Sequence, residues 1–405
     1  MGKANERKAG RRAGCEAAIG DGKRITLVIG SLSVGGSENQ LALLAECLVR
    51  RGWTVRVFAF VAEGTLADRL RCAGVSILEA GSSVVGNRSF LSKLATLSGT
   101  ELRLLGHCLR SRPSVLHAFL PLANFMAALA GRFAFVPVVV TSKRALGHHQ
   151  DRHPGLKWMD RVANTLSNRV TANSQAVALD TERRDHCPRH KIAVIPNGLD
   201  FQRFAVADEQ RQAIRARLGL ADNEIGIVNV ANLIPYKGHS ELIEAFARLD
   251  CVHSGVRLFL VGEDRGIQAA LTDRIDSLHV ADKVQFLGLR DDVPELLGAM
   301  DVGVMASHEE GLSNALLEKL ATGLPVVATN VGGNAEALDG MPNCRLVRAK
   351  DPEHLAQALL KLIETLPEPA QNRGMRRRLV RDRYSVDAMA DAYERLYLES
   401  RGGSL

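Results

Sequence analysis

Apolar and polar positions along this chain follow two periods, and the period switches repeatedly. Short runs rich in β-branched residues read as buried strands: RITLVIG (24–30), TVRVFAF (54–60), VSILEA, VLHAF, VPVVVT (136–141), RVTAN (169–173) and KIAVIP (191–196). Between them apolar residues recur every three to four positions, as on one face of a helix, at 38–52, 65–73, 89–111 and between VLHAF and VPVVVT. NGLDFQRF (197–204) interrupts the alternation, which then restarts. The second series is IGIVNVA, a helix at 238–249, VRLFLVG, a helix at 265–278, KVQFLG, a helix at 291–298, DVGVMA, a loop–helix–strand unit at 309–329, and CRLV (344–347). Three helices at roughly 352–365, 370–382 and 386–400 close the chain. Continuous apolar strands alternating with helices predict parallel sheets covered on both faces. The fold class is therefore α/β, with two similar doubly wound halves joined near residue 200. Ligands of such sheets bind beyond the carboxyl ends of the strands, so the crevice between the halves is the natural site.

Composition narrows this picture. The chain has 405 residues, 46% of them apolar and 24% charged, enough for two large cores. Aromatic residues make up only 4%, which argues against base-stacking or carbohydrate-binding platforms. The seven cysteines are scattered, with no CxxC and no Cys/His cluster, so reduced thiols and no structural zinc are expected. The net charge of +7 is uneven. Residues 1–200 hold 28 Lys+Arg against 15 Asp+Glu (+13), and the remainder 24 against 30 (−6). A basic first half attracts an anionic membrane surface, an anionic substrate or nucleic acid. MGKANERKAGRRAGCEAAIGDGKR is basic without an apolar core, so it reads as a disordered tail and not a secretory signal. Glu6 stands where a myristoylation motif requires Ser or Thr. The most apolar stretch, 118–141, is broken by Pro121, Asn124, Arg132 and Pro137 and reads as helix then strand, not a membrane span.

The chemistry concentrates in EEGLSNALLEKLATGLPVVAT (309–329). Ser313 or Asn314 can cap its helix, Gly323 can end it, and Pro325 blocks its return. The free N–H groups and positive dipole end of that helix suit a phosphate. Glu310 then flanks the phosphate, and Glu318, a little over a turn inside, reaches a sugar hydroxyl pair. Two Glu so far apart are ordinarily solvated surface, so the setting decides. SVGGSE (33–38) follows the first strand, and its Gly35 and Gly36 allow close approach of a ligand, or a plain tight turn. NLIPYKGH (232–239) follows the first strand of the second half and sets Lys237 at the lip of the crevice. His117 ends the strand VLHAF, where it can relay a proton or sit satisfied in the core. No GxGxxG follows the first strand and no GxxxxGK[ST] occurs, which weighs against a dehydrogenase and a P-loop enzyme.

The order of these motifs, GGSE, IPNGLD, VANLIPYKGHSELIEAFARL and EEGLSNALLEKLATGLPVVATNVGGNAEAL, with the tail YSVDAMADAYERLY, resembles the retaining glycosyltransferases of family 4, from about residue 24 to 400. The resemblance implies a GT-B fold: a tail at 1–23, an acceptor-binding Rossmann-like domain at 24–200, a nucleotide-sugar-binding one at 201–383, and a helix at 384–405 packing back on the first. It implies that Glu318 holds the ribose hydroxyls of a UDP- or GDP-linked sugar and Glu310 stands near the donor sugar. The amides of Gly311, Leu312, Ser313, Asn314 and Ala315 would cradle the distal phosphate, with Lys237 and Gly35–Gly36 around the diphosphate. Asn232 stands where the family usually has Arg, and Phe119 where it often has a second His beyond His117. The implied activity is retaining transfer of a hexosyl group to a glycan or lipid-linked acceptor in cell-envelope polysaccharide, lipopolysaccharide or glycolipid synthesis. No metal, cofactor or nucleic acid is implied, and the location is cytoplasmic, peripheral on the inner membrane face. A nucleotide-sugar 2-epimerase of similar fold and a non-catalytic nucleotide-sugar-binding protein are the alternatives.

Overall fold

A computed structural model of the chain describes residues 23–402 apart from 34, 82–89, 148, 153 and 205–207. The basic tail, including Lys3, Arg7, Lys8, Arg11 and Arg12, lies outside the described residues. The first half runs β1 (Arg24–Ser31), α1 (Gly36–Arg50), β2 (Thr54–Val61), α2 (Thr65–Cys72), β3 (Ser76–Glu79), α3 (Phe90–Ser111), β4 (Val115–Phe119), α4 (Pro121–Phe133), β5 (Val138–Lys143), α5 (His149–Arg152), α6 (Pro154–Leu166), β6 (Arg169–Ala172), α7 (Gln175–Asp185) and β7 (Ile192–Val194). The second half runs α8 (Asp208–Arg217), β8 (Ile225–Val230), α9 (His239–Asp250), β9 (Val256–Val261), α10 (Gln268–Ser277), β10 (Val284–Gly288), α11 (Val293–Ala299), β11 (Val302–Met305), α12 (Asn314–Thr322), β12 (Val326–Thr329), α13 (Asn334–Leu338) and β13 (Arg345–Val347). The helices α14 (Pro352–Ile363), α15 (Ala370–Tyr384) and α16 (Val386–Gly402) finish the chain.

The seven strands of the first sheet are ordered β3-β2-β1-β4-β5-β6-β7, and the six of the second β10-β9-β8-β11-β12-β13. Every pairing is parallel. The strand order therefore reverses between β1 and β4, and again between β8 and β11. The loops leaving β1, β8 and β11 open at those two reversal points, where parallel sheets bind ligands. These loops carry Gly35–Gly36, Asn232 to Lys237, and Glu309 to Ser313 respectively.

Each sheet is covered on both faces. In the first, α1 and α16 lie on one face and α3 and α4 on the other. In the second, α9 and α14 oppose α8 and α11, while α12 and α15 form a further cluster. The chain passes twice between the halves at neighbouring points: Leu199 N donates to Tyr384 O (2.7 Å) and Val386 N to Leu199 O (3.1 Å). The last helix then buries Met389, Tyr393 and Tyr397 in the core of the first sheet. The apolar stretch 118–141 resolves into the end of β4, α4 and β5, and no described helix is long and apolar enough to cross a membrane. The helices at 154–166, 175–185 and 208–217 were not anticipated from the sequence. The windows at 175–185 and 208–217 are so polar that the helical period hardly stands out, as in DEQRQAIRAR, whereas the one at 154–166 has a clear apolar face.

Candidate active site

The two sheets face each other across a cleft of about 1080 Å³. Its walls hold Gly35, Gly36, Asn232, Lys237, Glu310, Gly311, Leu312, Ser313, Asn314, Ala315 and Glu318. The geometry begins with α12. Ser313 is its N-cap, accepting from Leu316 N at 3.4 Å, and Gly323 ends it in the left-handed region at φ 84°. The first-turn amides, which have no partner within a helix, therefore open into the cleft. The N-terminus of α1 opposes them, close enough for Asn314 Nδ2 to donate to Gly36 O at 3.3 Å. Two helix N-termini thus converge; the Glu38 carboxylate already takes first-turn amides of α1, so the amides open to an anion are those of α12.

The carboxylates occupy different environments. Glu310 accepts from Lys237 Nζ at 2.6 Å and from Ser307 Oγ at 2.7 Å on the same oxygen. Among the described residues the Glu318 carboxylate accepts no hydrogen bond. Burial pushes it up to about 7, against the pull of Lys319 and Arg203. Asn232 lines the cleft, but its Oδ1 accepts from Glu263 N at 3.1 Å and braces the adjoining loop.

A polar network ties the halves together around the first turn of α12. Asn314 Oδ1 accepts from Asn197 Nδ2 (2.6 Å) and Gln40 Nε2 (3.3 Å), and Asn197 Nδ2 also donates to Leu312 O (3.0 Å). Arg144 Nη1 donates to Asn197 Oδ1 at 3.0 Å, with its guanidinium 5.1 Å from the Phe119 ring. Ser174 Oγ donates to Gly311 O at 3.2 Å, and the amides of Gln175 and Ala176 both donate to Glu336 at 2.9 Å.

His117 is the correction. It does not line the cleft but is fully buried in the first sheet. Its Nδ1 pairs with Tyr397 Oη at 2.7 Å and its Nε2 with Ser142 Oγ at 2.8 Å. Burial, with Arg144 nearby, holds the imidazole well below its ordinary range. It is a neutral tie between the first sheet and α16, not a proton relay at the cleft. Sequence reasoning also missed Gln40, Ser307, Arg203 and the role of Asn197. An Asn before Gly reads first as a turn, and a buried Gln on an amphipathic helix leaves no signal at all.

Comparison with known proteins follows these two lobes. The family described as Glycosyltransferase Family 4 matches residues 34–203, and that described as Glycosyl transferases group 1 matches residues 224–365. The chain belongs to the family 4 glycosyltransferases. This glycosyltransferase is similar to the Escherichia coli UDP-Gal:alpha-D-GlcNAc-diphosphoundecaprenol alpha-1,3-galactosyltransferase, with 23% identity over 303 residues, 72% of this chain and 76% of that protein. It is 32% identical to the D-inositol 3-phosphate glycosyltransferase of Segniliparus rotundus over 247 residues, 59% of this chain but only 54% of that protein. Its GT-B fold matches that of HepE from Anabaena in complex with UDP and glucose, at TM-score 0.79 and 23% identity, over 92% of this chain and 98% of that one. WaaG, a glycosyltransferase involved in lipopolysaccharide biosynthesis, matches at TM-score 0.72 and 18% identity, over 94% of this chain and 100% of that one.

Proposed function

We propose that this glycosyltransferase moves a hexosyl group from a UDP- or GDP-linked sugar to an acceptor hydroxyl with retention of configuration and without a metal ion. The observation that carries the reading is the spacing around α12. Glu310 and Glu318 lie on either side of its open first turn, in a cleft closed opposite by the N-terminus of α1. A nucleotide sugar has the matching sequence of groups: ribose hydroxyls for Glu318, diphosphate for the amides and Lys237, hexose for Glu310. In the transfer, the bond from the anomeric carbon to the diphosphate breaks and one to the acceptor oxygen forms on the same face. The departing phosphate oxygen takes the acceptor's proton. Lys237 and the first-turn amides hold the charge that develops on the leaving group. No protein nucleophile is needed.

The Glu318 role has a direct test. A carboxylate binding the ribose pair should make the protein prefer a nucleotide over its 2′,3′-dideoxy form. Hydrogen bonds to a charged group contribute about 1.5–3 kcal/mol, or about 10- to 150-fold. Glu318→Ala should erase that preference. An equal preference in parent and variant, by calorimetry, would refute the assignment. The carboxylate must be ionised to accept both bonds, and burial raises it to about 7. The Glu318 contribution to affinity should therefore fall as pH drops below 7.

The acceptor reading is a cell-envelope glycan or lipid-linked sugar reached at the inner membrane face. Its support is the outer layer of the first half, formed by α3, α4 and α6. Leu94, Leu102, Leu109, Phe133, Phe135 and Trp158 are exposed there. Lys93, Arg103, Arg110, Arg112 and Arg132 stand among them, exposed. Across these three helices the only acidic residues are Glu101 and the buried Asp160. Basic side chains contribute about 1 kcal/mol each near an anionic surface, within a Debye length. Co-sedimentation with phosphatidylglycerol vesicles should exceed that with phosphatidylcholine at low salt, fall at high salt, and drop several-fold in Leu102→Glu/Phe135→Glu. Recovery in the supernatant regardless of lipid would refute it.

A further inference from the structure

Lys319, the residue after Glu318, is completely buried. Its stem runs over β11 at Gly303, where an added Cβ would fall 2.7 Å from Lys319 Cδ. Gly303 needs no unusual backbone, and a glycine inside a strand is otherwise a weakness, so its evident use is to make room for this side chain. Helical side chains lean back toward the N-terminus of their helix. Lys319 accordingly carries its ammonium back one turn, where Nζ donates to Ala315 O at 3.3 Å. Ala315 is in the open first turn of α12 and lines the cleft. The ammonium therefore lies beneath the phosphate cradle. Among the described residues no carboxylate forms an ion pair with it.

We propose that Lys319 is a cation of the diphosphate site, a buried charge under the first turn of α12. The proposal rests on the reading of the cleft as a nucleoside-diphosphate site. Lys237, on the cleft wall, is paired with Glu310 at 2.6 Å. Charges face Lys319 from three elements: Glu318 on its own helix, Glu310 from the preceding loop, and Lys237 from the turn after β8. On its strand side β11 and β12 bring Gly303 and Val326, and the Arg373 and Arg377 of α15 meet α12 at its far end, beside Gly323. Burial lowers the Lys319 ammonium to about 8 from 10.5, with Glu318 and Glu310 opposing and Lys237 assisting. A dianionic diphosphate arriving above it reverses that balance and holds the proton on.

The test is proton uptake on binding UDP or GDP, read by calorimetry in buffers of different ionisation enthalpy. If binding restores the ordinary lysine range, Lys319 takes up about 0.7 proton at pH 8.5 and about 0.1 at pH 7, where Glu318 releases about half a proton, and the Lys319 contribution to affinity weakens about fourfold between the two. Glu318 is already ionised at pH 8.5 and adds little. In Lys319→Met the uptake at pH 8.5 should vanish, affinity at pH 7 should fall tenfold or more, and the weakening between pH 7 and 8.5 should be lost. Equal nucleotide affinity at pH 7 in parent and Lys319→Met overturns the proposal, as does equal uptake in the two. Failure of both nucleotides to bind the parent would instead overturn the reading of the cleft, and the proposal with it.

Discussion

Replacing Lys237 by alanine is expected to lower turnover by about 10²–10³-fold, a loss of ~2.7–4 kcal/mol in transition-state stabilisation of the kind measured for a single preorganised oxyanion donor. Donor affinity should change much less, because negative charge on the diphosphate is greatest as it leaves. The expected signature is a fall in kcat with a near-constant KM. The ion pair with Glu310 complicates the experiment. Both side chains are largely buried, and removing one member leaves the other's charge unmet, which destabilises the fold. The double variant Lys237→Ala/Glu310→Gln removes that orphaned charge while leaving Ser307 to bond position 310. Its unfolding midpoint should recover relative to Lys237→Ala, and its turnover should not. Recovery of turnover along with stability would make Lys237 a structural residue only.

Gly332→Ala should be nearly as damaging from outside the cleft. Gly332 adopts φ +52°, which alanine enters only with strain, and a Cβ there would lie 1.9 Å from Glu310 O and 2.7 Å from Glu310 C. The next residue holds the same loop, with Gly333 N donating to Gly311 O at 2.6 Å. The clash falls on backbone, so the segment carrying Glu310 and Gly311 must move. Displacing a reacting constellation by about 1 Å costs around 10²-fold, and forced αL backbone costs about 1–3 kcal/mol. The expected result is a loss of kcat/KM of about 10²-fold together with a lower melting temperature. Gly374→Ala is the control. It lies on the exposed side of α15 with nothing within 4 Å of a new Cβ, and alanine is the better helix former by about 1 kcal/mol. It should keep full activity and be slightly more stable. A Gly332→Ala protein of parental activity would mean that the 309–312 loop need not be held where it is.

What the sequence made legible was local. The alternation of strand and helix periods carried the two parallel sheets, and Ser313, Gly323 and Pro325 carried the ends of α12, because each acts through backbone chemistry within a few residues. The motifs also pointed to the loops after β1, β8 and β11, whose residues the fold brings to one cleft. Contacts between distant segments left no such trace. His117 read as a proton relay or a satisfied core residue, and Tyr397, 280 positions later, decides for the second by occupying its Nδ1. Lys237 and Glu310 were read as separate contributors, and their 2.6 Å pairing depends on the β8–β11 adjacency that only the folded sheet supplies. Gln40, Asn197 and Asn314 form one bridge from three remote segments. Nothing in the sequence singled out Lys319, and only the space over Gly303 reveals where its side chain goes.

The central claim is that one nucleotide sugar spans the cleft from Glu318 to Glu310. Calorimetric titration of the parent protein with a panel of UDP- and GDP-linked sugars, in the presence of EDTA, tests it most directly. The account predicts saturable binding of at least one donor without a metal, competition by the corresponding nucleoside diphosphate, and marked weakening in Glu318→Ala. A folded protein that binds no nucleotide sugar, or binds one only when a divalent cation is restored, would contradict it.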